Sequence, residues 1–165
     1  MADQAPLITP ELQATIGQRG KPRLSEVDKL QIRLFARSVG HTDPIFYDED
    51  EAKKAGYKSL VAPPGYLGTP IFDPGQADAL AIPMGGGSGP QPSRPLNRVL
   101  NGGTEIEYFD DIVAGDVLEA VGYTSDIQER SGSIGQMMIT TNKTEYTRKS
   151  DGKIVAIATG TGIRY

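Results

Sequence analysis

The order of segments along this chain predicts an α+β fold in which helices come first and a curved antiparallel sheet follows. Three observations carry that expectation. Helix-start signals cluster before Gly56, four runs rich in Val, Ile, Thr and Tyr occupy residues 99–164, and a stretch with no charged side chain follows Pro63-Pro64 between them.

Thr9-Pro10-Glu11 places an N-cap residue, a proline at the first helical position and an acid in the first turn, which predicts a short helix to about Gly17. An extended stretch from Leu24 to Val27 then leads to Asp28, with Gln31 at capping-box spacing, so a helix runs from there until Gly40 stops it. Its inward face is expected to carry Leu30, Leu34, Phe35 and Ser38, with Val27 and Val39 nearby and Lys29, Arg33 and Arg37 pointing away. Pro44 forbids helix in the loop 41–48, and Asp48 caps a short helix over Glu49 to Ala55 that ends at Gly56. Pro63-Pro64 then predicts a third helix through Gly65, Tyr66, Leu67 and Ile71 to Phe72. A helix with no charged face is buried, which makes this one the expected core helix.

Residues 73–98 are rich in Gly and Pro without a sustained period and read as an excursion, mobile over about 74–95, within one domain spanning 1–165. Val99 to Phe109, Val117 to Asp126, Gly135 to Arg148 and Lys153 to Arg164 follow as four consecutive antiparallel strands, with Asp151-Gly152 a strong hairpin signal. The last two are long enough for a curved sheet.

Composition excludes several functions. The 165 residues carry 17 basic and 21 acidic side chains, a net charge of −4, so no basic field attracts nucleic acid or anionic lipid. With no cysteine and a single histidine, His41, there is no thiolate nucleophile, disulfide framework, Cys-type zinc site or His-rich metal site. A carboxylate site for magnesium stays compatible with the composition, but no carboxylate cluster argues for one, and no metal or cofactor is expected. Neither a signal-type N-terminus nor a long apolar run is present, and a cytoplasmic protein is expected.

The segment Phe35-Ala36-Arg37-Ser38-Val39-Gly40-His41-Thr42-Asp43-Pro44-Ile45-Phe46-Tyr47-Asp48 resembles the active-site loop of MaoC-like (R)-specific enoyl-CoA hydratases and 3-hydroxyacyl dehydratases. Ala55-Gly56-Tyr57-Lys58-Ser59-Leu60-Val61-Ala62-Pro63-Pro64 resembles the entry to their central helix, in the spelling typical of the N-terminal, non-catalytic half. Asn101 to Phe109 and Val113-Ala114-Gly115-Asp116-Val117-Leu118 resemble the next two strands and their turn. The resemblance spans about residues 8–164 apart from the excursion, and implies a hot-dog fold, a curved antiparallel sheet wrapped around a central helix.

The family chemistry needs one group to activate water, another to exchange a proton at the α-carbon, and donors for the thioester oxygen. Active relatives supply the first two from a Gly-Asp-x-Asn-Pro-x-His pattern. Here the Asp position is His41, the Asn position Asp43 and the His position Phe46, and phenylalanine exchanges no proton. The resemblance therefore implies an acyl-thioester-binding subunit, for acyl-CoA or acyl carrier protein, that shapes the tunnel while a MaoC-type partner supplies the Asp and His. Two alternatives stay open: a self-sufficient homodimeric hydratase using His41 and Asp43, and a non-enzymatic acyl-CoA-binding protein.

The candidate catalytic residues are thus His41 and Asp43, where a carboxylate would orient an imidazole; a loop histidine or subunit contact is the plainer reading. For substrate binding, the amides of Gly65 and Tyr66 are the first free donors at the expected helix start. Tyr47, Tyr57 and Tyr66 are either pocket lining or core packing. Asn101 and Gly103 bracket a glycine pair that marks a bulge or a close ligand approach, the bulge being favoured. Glu105 and Glu107 share a solvated strand face and receive no chemistry. One hot-dog unit leaves a sheet edge open, so a homo-oligomer or a heteromer with a catalytic hot-dog subunit is expected, paired through the strand of Asn101 to Phe109.

Overall fold

The computed structural model describes residues 5–71, 90–132 and 135–165. Helix α1 is Pro10–Gln13, α2 Lys29–Ser38 and α3 Glu49–Lys54; the strands are β1 Arg23–Glu26, β2 Thr69–Pro70, β3 Val99–Tyr108, β4 Val117–Gly132, β5 Gly135–Arg148 and β6 Ile154–Arg164. All six strands form one antiparallel sheet in the order β2-β1-β4-β5-β6-β3. β4, β5 and β6 follow one another as a meander, but β3 pairs with β6 and not with β4, so the four strands are not consecutive neighbours, and among the described residues β3 is an edge.

The caps work as the residue types require. Thr9 accepts the Leu12 amide at 3.2 Å, Asp28 those of Leu30 and Gln31 at 2.8 and 3.2 Å, and Asp48 those of Asp50 and Glu51 at 2.8 and 3.3 Å. Gly40 and Gly56 end their helices at φ of 76° and 94°.

Two expectations are corrected. Among the described residues, no helix forms between Pro64 and Ile71: the chain turns at Pro64 and Gly65, and Thr69–Pro70 adds to the sheet beside Ser25 and Glu26. Gly65 and Gly68 both take positive φ, 95° and 84°, and a Cβ on Gly68 would lie 3.0 Å from that of Ser25. Glycines placed for close approach, with prolines on both sides, outweigh the uncharged composition. Phe72 lies outside the described residues.

The buried face of α2 is also different. Ile32 and Ala36 are fully enclosed with Phe35 packed beside them, whereas Leu30 and Leu34 are 58% and 52% exposed.

Register partners share a face, so the inward rows can be read off the ladder. One rung carries Ala120, Tyr146, Ala156 and Tyr108 across β4, β5, β6 and β3. Around that end a main cluster joins Val27, Ile32, Ala36, Phe46, Leu60, Val61, Tyr66, Ile112, Leu118 and Val155. A smaller cluster of Leu7, Leu12, Ile127 and Met138 covers the far end of the β4–β5 pair. It is fixed by polar bonds: Glu129 accepts the Leu7 amide at 2.6 Å and a bond from the buried Gln136 amide, and the Ser93 amide donates to the Leu7 carbonyl at 3.0 Å. Of the excursion expected over 74–95, residues 74–89 lie outside the described residues, while Ser93 and Arg94 are anchored, Arg94 to Gln136 at 2.7 Å. No helix among the described residues is long and apolar enough to cross a membrane.

Candidate functional site

The main cluster opens into a cleft of about 570 Å³ lined by Ile45, Phe46, Val61, Ala62, Pro64, Tyr108, Phe109, Asp110, Asp111 and Ile112. Three strips of backbone build its walls. Asp43 Oδ1 accepts the Ile45 amide at 3.1 Å and so caps the 3-10 turn Pro44–Phe46, which turns Phe46 into the core. The Val61 amide donates to the Ile45 carbonyl at 3.2 Å and the Ala62 amide to that of Ile112 at 2.8 Å, which holds residues 61–62 between the turn and the segment after β3. The Gly65 amide donates to the Tyr108 hydroxyl at 2.7 Å and ties the Pro63-Pro64 bend to the last residue of β3.

The Asp110-Asp111 wall is held from behind by Arg148, whose side chain is only 12% exposed. Its guanidinium contacts Asp110 at 3.0 Å, Asp116 at 3.2 Å and Asp151 at 2.9 Å, and donates to the Asp111 carbonyl. The Arg148 bond, aided by the Asp111 amide, lowers the Asp110 pKa; the Lys153 amide first, then Arg148, lowers that of Asp151. Burial, with Tyr108 nearby, raises that of the Tyr146 phenol.

The sequence-predicted residues distribute as follows. The His41 ring meets Phe46 with centroids 5.5 Å apart, and the Asp43 carboxylate is turned to its own backbone; among the described residues the two side chains share no hydrogen bond. The Tyr47 hydroxyl donates to the His41 carbonyl, Tyr57 packs against the main cluster, and Tyr66 is buried with its hydroxyl 3.0 Å from Thr69 Oγ1. With no helix start there, the Gly65 amide is engaged by Tyr108 and the Tyr66 amide donates to the Pro63 carbonyl at 3.0 Å. Asn101 Oδ1 accepts the Gly103 amide at 2.9 Å, and the register shifts between them, so the glycine pair forms the favoured bulge. Glu105 and Glu107 are exposed. Among the described residues no cluster of His, Asp and Glu is arranged to hold a metal ion.

Sequence reading missed Tyr108 and Arg148. The first was legible as the residue two beyond Ile106, on the face opposite Glu105 and Glu107; the second only as a lone cation closing a strand among aspartates scattered in sequence.

A curled antiparallel sheet with few helices and a cleft between the His41–Phe46 loop and the end of β3 defines the MaoC-like, hot-dog class of hydratase and dehydratase folds. The chain belongs to the FAS1-like, dehydratase domain region family, whose model it matches over residues 14–157. It is 33% identical over 134 residues to a UPF0336 protein of Parafrankia sp. (strain EAN1pec), covering 81% of this chain and 80% of that one. It is 27% identical over 161 residues to the probable enoyl-CoA hydratase alpha subunit of Thermomonospora curvata, 88% of this chain and 48% of that relative. Among solved structures, the C-terminally truncated HadBC (3R-hydroxyacyl-ACP dehydratase) complex from Mycobacterium tuberculosis superposes with a TM-score of 0.65 over 90% of this chain and 96% of the matched chain. At 23% identity, that likeness concerns the fold.

Proposed function

We propose that this chain is the acyl-thioester-binding subunit of an enoyl-CoA hydratase or 3-hydroxyacyl-CoA (or -ACP) dehydratase, and that a MaoC-type hot-dog partner supplies the catalytic Asp and His. The observation that carries the reading is Phe46. At the position where active relatives place the proton-exchanging His, a phenylalanine is 8% exposed and forms part of an apolar cleft wall. The site retains the shape for an acyl chain without a paired acid and base.

The likeness to one relative named as an alpha subunit, and to a dehydratase solved as a complex of two components, supports a divided enzyme. The open β3 edge offers the place for a second unit. Its ten residues form one side of the sheet, and Val99, Leu100 and Tyr108 of the strand, with Phe109 just after it, are between 40% and 61% exposed. The engagement of Asp43 with its own turn weighs against the homodimeric alternative based on His41 and Asp43. The test is co-purification from the native host followed by enoyl-CoA hydration assays on the complex and on this chain alone. Activity of the complex that disappears when the partner's Asp or His is replaced fits the proposal; full activity of this chain alone contradicts it.

A further inference from the structure

We infer that the Tyr108 hydroxyl is a hydrogen-bond donor for the carbonyl oxygen of the bound thioester. The inference rests on the acyl-thioester reading above and adds a residue that reading did not contain.

Tyr108 ends β3 at the point where the strand leaves the sheet, and its side chain lines the cleft together with Phe46, Val61 and Pro64. Its oxygen accepts the Gly65 amide at 2.7 Å, which fixes the phenol against the Pro63-Pro64 bend. That bond uses an oxygen lone pair and leaves the O–H proton free; among the described residues the hydroxyl has no acceptor. Accepting an N–H bond also polarises the O–H and strengthens it as a donor. The residue is 40% exposed and lines the cleft, so it is not sealed in the core.

The surrounding walls narrow the ligand class. Ile45, Phe46, Val61 and Ile112 present apolar surface, and the carboxylates in the lining, Asp110 and Asp111, accept bonds but donate none while ionised. A group bound at Tyr108 is therefore an uncharged acceptor attached to an apolar chain. A thioester carbonyl fits, whereas a carboxylate or phosphate would meet the acidic rim. Gly65 is required at its place: it holds φ of 95°, and a Cβ there would come within 3.2 Å of the Phe35 ring.

The test compares hexanoyl-CoA with S-hexyl-CoA, its thioether lacking the carbonyl, by titration calorimetry on the full chain and on Tyr108→Phe. The wild-type chain is expected to bind the thioester about five- to tenfold more tightly than the thioether, the size of one neutral hydrogen bond. Tyr108→Phe is expected to erase that preference and leave thioether affinity unchanged. An undiminished preference in Tyr108→Phe overturns the inference and leaves the acyl-thioester reading standing. Equal weakening of both ligands assigns Tyr108 a structural role only and also overturns it. Failure of the wild-type chain to bind either compound overturns the underlying reading, and this inference with it.

Discussion

His41 and Phe46 face each other with ring centroids 5.5 Å apart and planes inclined at 57°, so an aromatic contact joins the two positions that the proposed function aligns with the acid–base pair of active relatives. The purified chain is accordingly expected to hydrate crotonyl-CoA no faster than buffer, read from the loss of enoyl absorbance. Turnover abolished by His41→Ala would contradict this. The pair His41→Asp and Phe46→His should give weak hydration, at a stability cost of about 1–3 kcal/mol, because Phe46 is buried and an imidazole there lacks a hydrogen-bond partner.

Arg148 joins three aspartates from separate turns, and its replacement should loosen all of them. Arg148→Ala is expected to lower stability by about 2–4 kcal/mol in urea unfolding. The pH dependence has a defined sign. Asp110 and Asp151 hold folded pKa values below their ordinary 3.8, so their contribution is complete above that value and is lost as pH falls through the lowered values. Melting temperature should therefore decline below about pH 4 in the wild type, and the decline should be shallower in Arg148→Ala. Parallel acid profiles for the two proteins would refute the assignment.

The open edge of β3 predicts association. At micromolar concentration the chain should form a dimer or larger species, with an interface above about 1,000 Å². Ile106 stands opposite Ala158, and a proline there removes an N–H from either β6 or the free edge; Ile106→Pro should split or unfold the assembly. A compact monomer in light scattering across a hundredfold dilution, at constant melting temperature, would exclude pairing through this strand.

Two strand glycines should respond differently to alanine. A Cβ on Gly102 would lie 2.9 Å from Thr161 Cγ2 and 3.1 Å from the Thr161 carbonyl oxygen, so Gly102→Ala should cost about 1–3 kcal/mol. Nothing lies within 4 Å of a Cβ on Gly160, and Gly160→Ala should fall within about 0.5 kcal/mol of wild type or stabilise slightly. Equal effects in thermal unfolding would show that the bulge adjusts freely.

Local chemistry was legible in the sequence wherever it decides local structure. Thr9, Asp28 and Asp48 cap the helices they were expected to cap, and the strand starting at Gly135 was delimited at both ends. What failed depends on contacts distant in the chain. The uncharged stretch after Pro64 looks like a buried helix by composition, but the approach of Gly68 to Ser25 is invisible until β1 and β2 are paired. Periodicity selected Leu30 and Leu34 because apolar type alone cannot distinguish a core from an outward face; Ile32 was available at the same spacing from Ala36. The cleft's position escaped for the same reason, since Tyr108 meets Gly65 across 43 residues.

Among the described residues, two buried apolar clusters of ten and four residues lie at opposite ends of the β4–β5 pair, which makes that hairpin a beam loaded at both ends. Its smaller load depends on a strap, the Leu7 segment, clipped at Glu129 and Ser93. Such a strap can detach while the other end holds, so amides of the strap and of the adjoining strand tips should exchange with solvent through a partial opening that leaves Leu60 and Val155 protected. A protease that cuts before Leu12 would then capture the opened form and leave a trimmed chain with an intact cleft.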